Sequence, residues 1–273
     1  MSEGPRGLVP SAGWAVMHLF YRIDRARWRR LQDSERTAAI DEFSGWSELR
    51  RHEEALQLVP FAGVTKCDFG VMAVHPDLWR VQQLTQEIAG SAFGACLIPV
   101  YSFLSLSEAS EYITNELDWA KLLIREQKLD PASPDFAARF AGLRKRTGMY
   151  AESRLHPQLP DNYPIVCFYP MSKSRQEPNN WYRLGFEERK RYMIAHGEGG
   201  RRYADRVSQL ITTCTGIDDW EWGVTLFAGD LKAIRDIVYE LRYDPASALY
   251  GQFGSFYVGI RFEPAQLAAV LKL

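Results

Sequence analysis

The sequence predicts an α+β fold made of two tandem β-α-β-β-α-β units with antiparallel sheets, and three observations predict it. The first is an internal repeat. "CDFGVMAVHPDLWRVQQLTQEIA" and "WEWGVTLFAGDLKAIRDIVYELR" superimpose without a gap, with aromatic-Gly-Val in each followed by Asp-Leu at the same distance. The second is a helical period after each Asp-Leu: Leu78, Val81, Leu84 and Ile88 take the same steps as Leu231, Ile234, Ile237 and Leu241. Steps of three and four mark one buried helix face. The third is a pair of apolar runs, "VMHLFYRID" and "IVCFYPMSK", which share Phe-Tyr at a strand end and lead into polar helical stretches.

In chain order, "VMHLFYRID" is the first strand and residues ~25 to 57 the first helical stretch. "CDFGVMAV" is the next strand, the helix from Leu78 follows, and "SAFGACLIPVYSFL" closes the first copy. The second copy opens on "IVCFYPMSK", is helical over ~185 to 204, and takes "RVSQLITTCTG" as a strand for its β-branched content. "WEWGVTLF", the helix from Leu231 and "YGQFGSFYVGIRF" complete it, with Phe93-Gly94 recurring as Phe253-Gly254. This order is the split βαβ, ferredoxin-like pattern, in which helices cover one face of an antiparallel sheet. Two such halves leave two bare sheet faces, which must pack together or bind something apolar. Between them, "SEASEYITNELDWAKLLIREQK" and "SPDFAARFAGLRKR" are helical and charged, with Pro-rich punctuation. The expected division is residues 1–105, a connector over 106–160, and 161–273.

Composition narrows the function. The 273 residues are 46% hydrophobic and 13% aromatic, ample for a dry core. A formal net charge of −1 lacks the footprint of a nucleic-acid binder, so small molecules or protein partners are favoured. Cys67, Cys96, Cys167 and Cys214 lie far apart with no CxxC spacing, which suggests buried reduced thiols and neither a zinc site nor a disulfide framework. The N-terminus shows no basic region followed by an apolar core, and no window approaches a membrane span. The expectation is a reducing, cytoplasmic setting without a transmembrane segment.

Several residues stand out as chemistry. His196, in "FEERKRYMIAHGEGGRRYADRV", falls where Gly197, Gly199 and Gly200 loosen or terminate a helix, and a ring nitrogen there can face a metal. On sequence position alone, a solvent-exposed or C-capping histidine is the commoner explanation. Glycines occupy i+3 and i+4, so other metal ligands have to come from elsewhere; a porphyrin is the obvious source, because haem iron needs one protein ligand. Gln209 alternates with Val207, Ile211 and Thr213, and a glutamine among apolar neighbours either faces a cavity or is satisfied locally. Trp181, Tyr182, Trp220 and Trp222 are aromatic content that most often fills cores. Arg242 ends a helix, where a cation suits the dipole, and Ser247 follows five residues later. Tyr169 and Lys173 are delivered together where an apolar strand runs out. "HGEGGRR" lacks the GxxxxGK[ST] spacing of a phosphate loop and follows a helix.

The stretches "FYPMSKSR", "NNWYRLGFEERKRYMIAHGEGGRRYADRVSQLI", "DDWEWGVTLFAGD" and "YELRYDPASALYGQFGSFYVG" resemble the chlorite dismutase family, most closely its coproheme decarboxylases, through nearly all of residues 163–259. The resemblance implies a dimeric α+β barrel type subunit of tandem ferredoxin-like repeats, commonly in homopentamers. It implies His196 as proximal haem ligand and only metal ligand from the chain, with Trp181 beside the porphyrin on that side. Gln209 stands where true chlorite dismutases keep an arginine, so no guanidinium is available there to retain hypochlorite. Tyr169 matches the redox-active tyrosine and Lys173 its neighbouring lysine. Met171 is implied to touch the porphyrin, and Arg242, Ser247 and Arg154 to hold its propionates.

The implied substrate and cofactor are one molecule, iron-coproporphyrin III (coproheme). Two of its propionates become vinyls with hydrogen peroxide as oxidant, and haem b is the product. Oxidising an unactivated side chain is beyond acids and bases, so the oxidising power belongs to the iron porphyrin. Tyr169 would relay it, while Lys173 pairs with a propionate and assists carbon dioxide release. Transient contact with a coproporphyrin ferrochelatase fits this chemistry. Alternatives are chlorite dismutation or a general haem peroxidase, and a non-enzymatic haem carrier or sensor.

Overall fold

The computed structural model describes residues 7–273. In chain order the elements are β1 (Ala15–Ile23), α1 (Arg25–Arg30), α2 (Asp33–Arg51), β2 (Gln57–Gly63), β3 (Phe69–His75), α3 (Leu78–Gly90) and β4 (Leu97–Ser107). Two helices follow, α4 (Glu116–Arg125) and α5 (Pro134–Leu155). The rest are β5 (Ile165–Lys173), α6 (Phe186–Arg201), β6 (Val207–Thr213), β7 (Trp222–Ala228), α7 (Leu231–Leu241), α8 (Pro245–Ala248), β8 (Gly251–Phe253), β9 (Tyr257–Arg261) and α9 (Leu267–Leu271).

The strands pair as β4-β1-β3-β2 in the first half and β6-β7-β5-β9 in the second, the same order twice. Two seams join the halves. Leu106 and Ser107 of β4 pair with Thr213 and Thr212 of β6, and Phe61–Gly63 of β2 pair with residues 259–261 of β9. Because β5 also pairs with β7, eight strands close into a ring in which every pairing is antiparallel, and β8 is appended to the end of β5.

Period-2 alternation then decides what each face meets. The bare faces of the two halves pack against each other: Val16, Val59, Val166, Leu210 and Phe227 form one interior cluster, and Phe20, Phe61, Phe103, Phe168 and Tyr257 another. On the outside of the first half, Met17, Leu19 and Tyr21 pack under Phe43 of α2 and Val81, Leu84 and Ile88 of α3. On the outside of the second half, Cys167, Tyr169, Val224 and Leu226 pack with Tyr203 and with Ile234 and Ile237 of α7.

The repeated Asp-Leu has a local cause. Asp77 accepts from Trp79 N–H and Asp230 from Ala233 N–H, so each aspartate is the N-cap that starts the helix after its strand. The leucine beside it begins the helix at the rim; Leu78 and Leu231 are exposed, and the buried stripe starts a turn later.

Three local expectations need correction. The first helical stretch is split into α1 and α2 and ends at Arg51. "YGQFGSFYVGIRF" is two strands, β8 and β9, so Phe253 ends β8 and Gly254 lies between strands, whereas Gly94 lies in a 3-10 turn before β4. The glycines after His196 do not end its helix, since α6 runs on to Arg201. A Cβ on Gly199 would stand 2.9 Å from Leu241 Cδ2, and one on Gly200 3.2 Å from Gln209 Nε2. These glycines let α6 approach α7 and β6 closely. All four cysteines are buried and free.

One polar group is sealed in the interior. His18 is fully buried, stacks on Phe168 at 4.2 Å, and shares a 2.9 Å hydrogen bond between Nε2 and Thr225 Oγ1, while its Nδ1 has no partner among the described residues. Burial pushes its pKa down to about 3, against 6.5 for the ordinary imidazole. The folded state therefore holds a neutral ring, and the unfolded chain takes up a proton as pH falls below 6.5. Stability is full above that value and declines as pH falls towards 3. At pH 5 the loss from this residue is about 2 kcal/mol. Urea unfolding of His18→Leu should show a correspondingly smaller drop between pH 7 and pH 5 than the native chain; equal drops would remove His18 as the cause.

Candidate functional site

Strand alternation brings the candidate residues of β5 to one surface. Tyr169, Met171 and Lys173 point outward, away from Phe168 in the barrel interior, into the layer beneath α6 and α7. Register sets Tyr169 beside Val224, and Met171 between Trp222 of β7 and Phe253 of β8. On β6, Gln209 lies on the same outer face as Val207 and Ile211, and its Nε2 is 3.5 Å from the Gly200 carbonyl. That long contact is the local satisfaction open to it, and it is weak.

His196 lies on α6 and is half-buried. Its Nδ1 stands 2.9 Å from Asp244 Oδ2. Burial works to raise the Asp244 carboxyl, but hydrogen bonds from His196 and Ser247 win and hold it below the ordinary carboxylate value. An ionised carboxylate only accepts, so Nδ1 carries the proton and Nε2 is left as a lone-pair donor. The other oxygen of Asp244 caps α8, accepting from Ala246 N–H at 3.0 Å and Ser247 N–H at 3.2 Å. One carboxylate thus fixes both the helix cap and the imidazole tautomer.

Lys173 is 5% exposed and directs Nζ inward, donating to Ala246 O at 2.7 Å and lying 4.7 Å from the centroid of Trp181. Burial lowers its pKa to about 8 against the opposing pull of Asp244 and Glu221, so the ammonium is charged at neutral pH. Glu221, 4% exposed, accepts from the Lys173 backbone N–H at 2.8 Å and from Arg175 at 2.6 Å. Trp181 is buried and meets Tyr250 edge-on at 5.2 Å; Tyr192, one turn before His196 on α6, lies 6.3 Å from it. Trp181 therefore packs near α6 one turn before His196.

Tyr169 stacks on Phe256 at 4.3 Å, with Phe253 6.0 Å away, and burial pushes its phenol pKa upward. The exposed Arg242 lays its guanidinium over Phe253 at 3.8 Å and forms no ion pair among the described residues. It is a cation free to take an anion beside Tyr169. The other two residues singled out for propionates are placed differently. Ser247 is buried within the cap made by Asp244, and Arg154 donates to the carbonyls of Gln209 at 3.3 Å and Ile211 at 3.0 Å. Its guanidinium straps the end of α5 to β6.

Sequence reasoning missed Asp244, Glu221, Phe253 and Phe256. Asp244 had a readable signal, because Asp before Pro is an N-cap followed by proline at the first helical position. Its second role, on a histidine 48 residues away, had none.

The donor set suits a metal that arrives with its own ligands. Among the described residues no three His, Cys, Asp or Glu side chains converge on a common point, so a metal at His196 Nε2 would take its remaining ligands from outside the chain. An iron porphyrin meets that requirement, and the face of Met171, Ile211, Phe253 and Phe256 supplies an apolar bed.

Several known proteins resemble this chain over nearly all of its length. A protein named as haem-binding from Natronomonas pharaonis is 37% identical over 262 residues, covering 94% of this chain and 40% of that protein. Another from Halobacterium salinarum is 39% identical over 263 residues, covering 95% and 49%. The chain spans less than half the length of these curated relatives. The solved structure of a haem-binding protein from Thermus thermophilus is 35% identical, covers 98% of this chain and all of its own, and superimposes with a TM-score of 0.80. A variant of chlorite dismutase from Candidatus Nitrospira defluvii shares the fold at a TM-score of 0.70 and 16% identity, covering 96% and 95%. The chlorite dismutase family model matches residues 34–262, and by that match the chain belongs to the chlorite dismutase family.

Proposed function

We propose that this protein is a coproheme decarboxylase, which uses hydrogen peroxide to convert two propionates of iron-coproporphyrin III to vinyls and release haem b. The observation that carries the proposal is one sheet face that presents an oxidisable phenol at Tyr169 and an uncharged amide at Gln209. Retaining hypochlorite would call for a guanidinium at the place of Gln209, where this chain has an amide, and Arg154, which reaches the same strand, donates to the backbone carbonyls of Gln209 and Ile211.

The bound iron porphyrin supplies the oxidising power and the carboxylate to be lost. The chain's residues do the rest. His196 offers Nε2 to the iron, held in one tautomer by Asp244, and Arg242 takes a propionate next to Tyr169. Tyr169 passes an electron and its phenolic proton, then recovers a hydrogen atom from the side chain. Each conversion of –CH2–CH2–COO⁻ to –CH=CH2 and carbon dioxide releases two electrons and a proton. Reducing one peroxide to two waters consumes two electrons and two protons, so one peroxide is needed per vinyl. A cytoplasmic setting, a homopentamer and transient contact with a coproporphyrin ferrochelatase belong to the same reading; among the described residues no helix is long and apolar enough to cross a membrane. The haem-binding names of its relatives favour a carrier or sensor as the second reading.

Titration of the protein with coproheme and then peroxide tests the proposal. Mass spectrometry should show two carboxyl groups lost in turn at about two peroxides per haem b. Binding without carboxyl loss would leave the carrier reading, and oxygen release from chlorite would replace both.

His196→Ala should abolish the porphyrin's iron–imidazole spectrum without unfolding the chain, and Asp244→Ala should weaken porphyrin affinity by roughly 10- to 100-fold. Optical titration checks both, and native spectra in His196→Ala would remove the ligand assignment. Tyr169→Phe removes one oxygen and keeps the ring, so coproheme affinity should stay within roughly tenfold, about 1.4 kcal/mol. Vinyl formation should cease; haem b made at the native rate would rule out Tyr169 as the relay.

A further inference from the structure

Tyr169 and Lys173 share one strand face, but their heads go to different places. The phenol stays among Phe253 and Phe256, whereas the ammonium turns to the histidine side and sits over Trp181. Indole is oxidised about as readily as phenol, and Trp181 is the buried indole closest to the His196 turn of α6. It also has an outlet: Tyr250 lies 5.2 Å from it and the half-buried Tyr192 5.8 Å from Tyr250. Electrons drawn from this cluster would spend the oxidant on the protein.

Resting on the coproheme reading, we propose that Lys173 keeps Trp181 reduced, so that the oxidising equivalents drawn from peroxide are taken from Tyr169 and through it from the propionate. A cation attracts the electron-rich face of a neutral indole and repels the same ring once an electron has left it. At 4.7 Å and an effective dielectric of about 20, the repulsion from the ammonium alone disfavours oxidation of the ring on the order of several hundredfold, an upper bound that the nearby carboxylates reduce. Asp244 and Glu221 act on the ammonium and offset part of this charge, but neither is hydrogen-bonded to Nζ. The hydrogen bond from Nζ goes to the neutral carbonyl of Ala246, and the oxygens of Asp244 are directed to His196 and to the α8 cap. Glu221 is held by the Lys173 backbone N–H and by Arg175.

The electron count is the same on either route. Reduction of one peroxide to two waters withdraws two electrons. From the propionate these accompany loss of carbon dioxide and a proton; from Trp181 they leave with two protons as water adds one oxygen atom to the ring.

Lys173→Met keeps the length and apolar stem and removes the charge, Lys173→Arg keeps the charge, and Lys173→Gln serves if the methionine variant does not fold. Each protein is loaded with coproheme, loading is confirmed optically, and peptides are mapped by mass spectrometry after peroxide treatment. Oxygenated Trp181 should rise at least tenfold in the methionine or glutamine variant and stay at the native level with arginine. Adding Trp181→Phe to Lys173→Met should restore part of the vinyl yield. Trp181 left as unmodified in the neutral variants as in the native protein would overturn the guard role even if coproheme is still decarboxylated. Failure of the native protein to bind coproheme would instead remove the functional reading on which it rests.

Discussion

The rest of the structure depends on the mutual burial of two sheet faces. Each β-α-β-β-α-β half has helices for only one side of its sheet, and the other side carries phenylalanines and valines that water cannot be left to cover. Phe20, Phe61, Phe103, Phe168 and Tyr257 meet across the interior, with Phe20 and Tyr257 stacked at 4.2 Å. Once these faces are joined, the helix-covered sides are the only places where a sheet can present chemistry. The second half uses this opportunity because α6, bearing His196, lies over a face that also holds Tyr169, Met171 and Gln209.

Within that half Asp244 is the node through which the site is ordered. One oxygen caps α8 and the other orients His196, so the turn after α7 and the ring on α6 cannot shift independently. Lys173 anchors to the Ala246 carbonyl inside the same cap. Strand β5, helix α6 and the α7–α8 turn therefore share one polar junction, and its groups are satisfied mainly by one another. Burying such a junction is costly unless every partner is in place, which makes the arrangement rigid and specific.

Sequence and structure agree where the signal is local or periodic. The repeat, the helix stripes and the alternation of Val207, Gln209 and Ile211 were legible because each depends on spacing along one element. The fate of the glycines after His196 was not, because Gly199 and Gly200 answer to Leu241 and Gln209, which approach from other elements. Ser247 and Arg154 show the same limit. The family resemblance implies that both hold propionates; spacing along the chain does not reveal that Ser247 N–H donates to the Asp244 cap or that Arg154 reaches the Gln209 and Ile211 carbonyls. The histidine was visible as a candidate, while the carboxylate that fixes its tautomer required the closed fold.

The two seams of the ring also govern how the chain reaches its native state. Leu106 must find Thr213 and Phe61 must find Arg261, partners 107 and 200 residues apart. Contacts so distant in sequence are formed late, after large loops have closed. Strand β2 consequently keeps an open edge, and the phenylalanine-rich inner face stays uncovered, until β9 arrives. A first half without β9 thus exposes both a free strand edge and an apolar face, the combination that favours aggregation, and a chain cut before Tyr257 would keep both exposed.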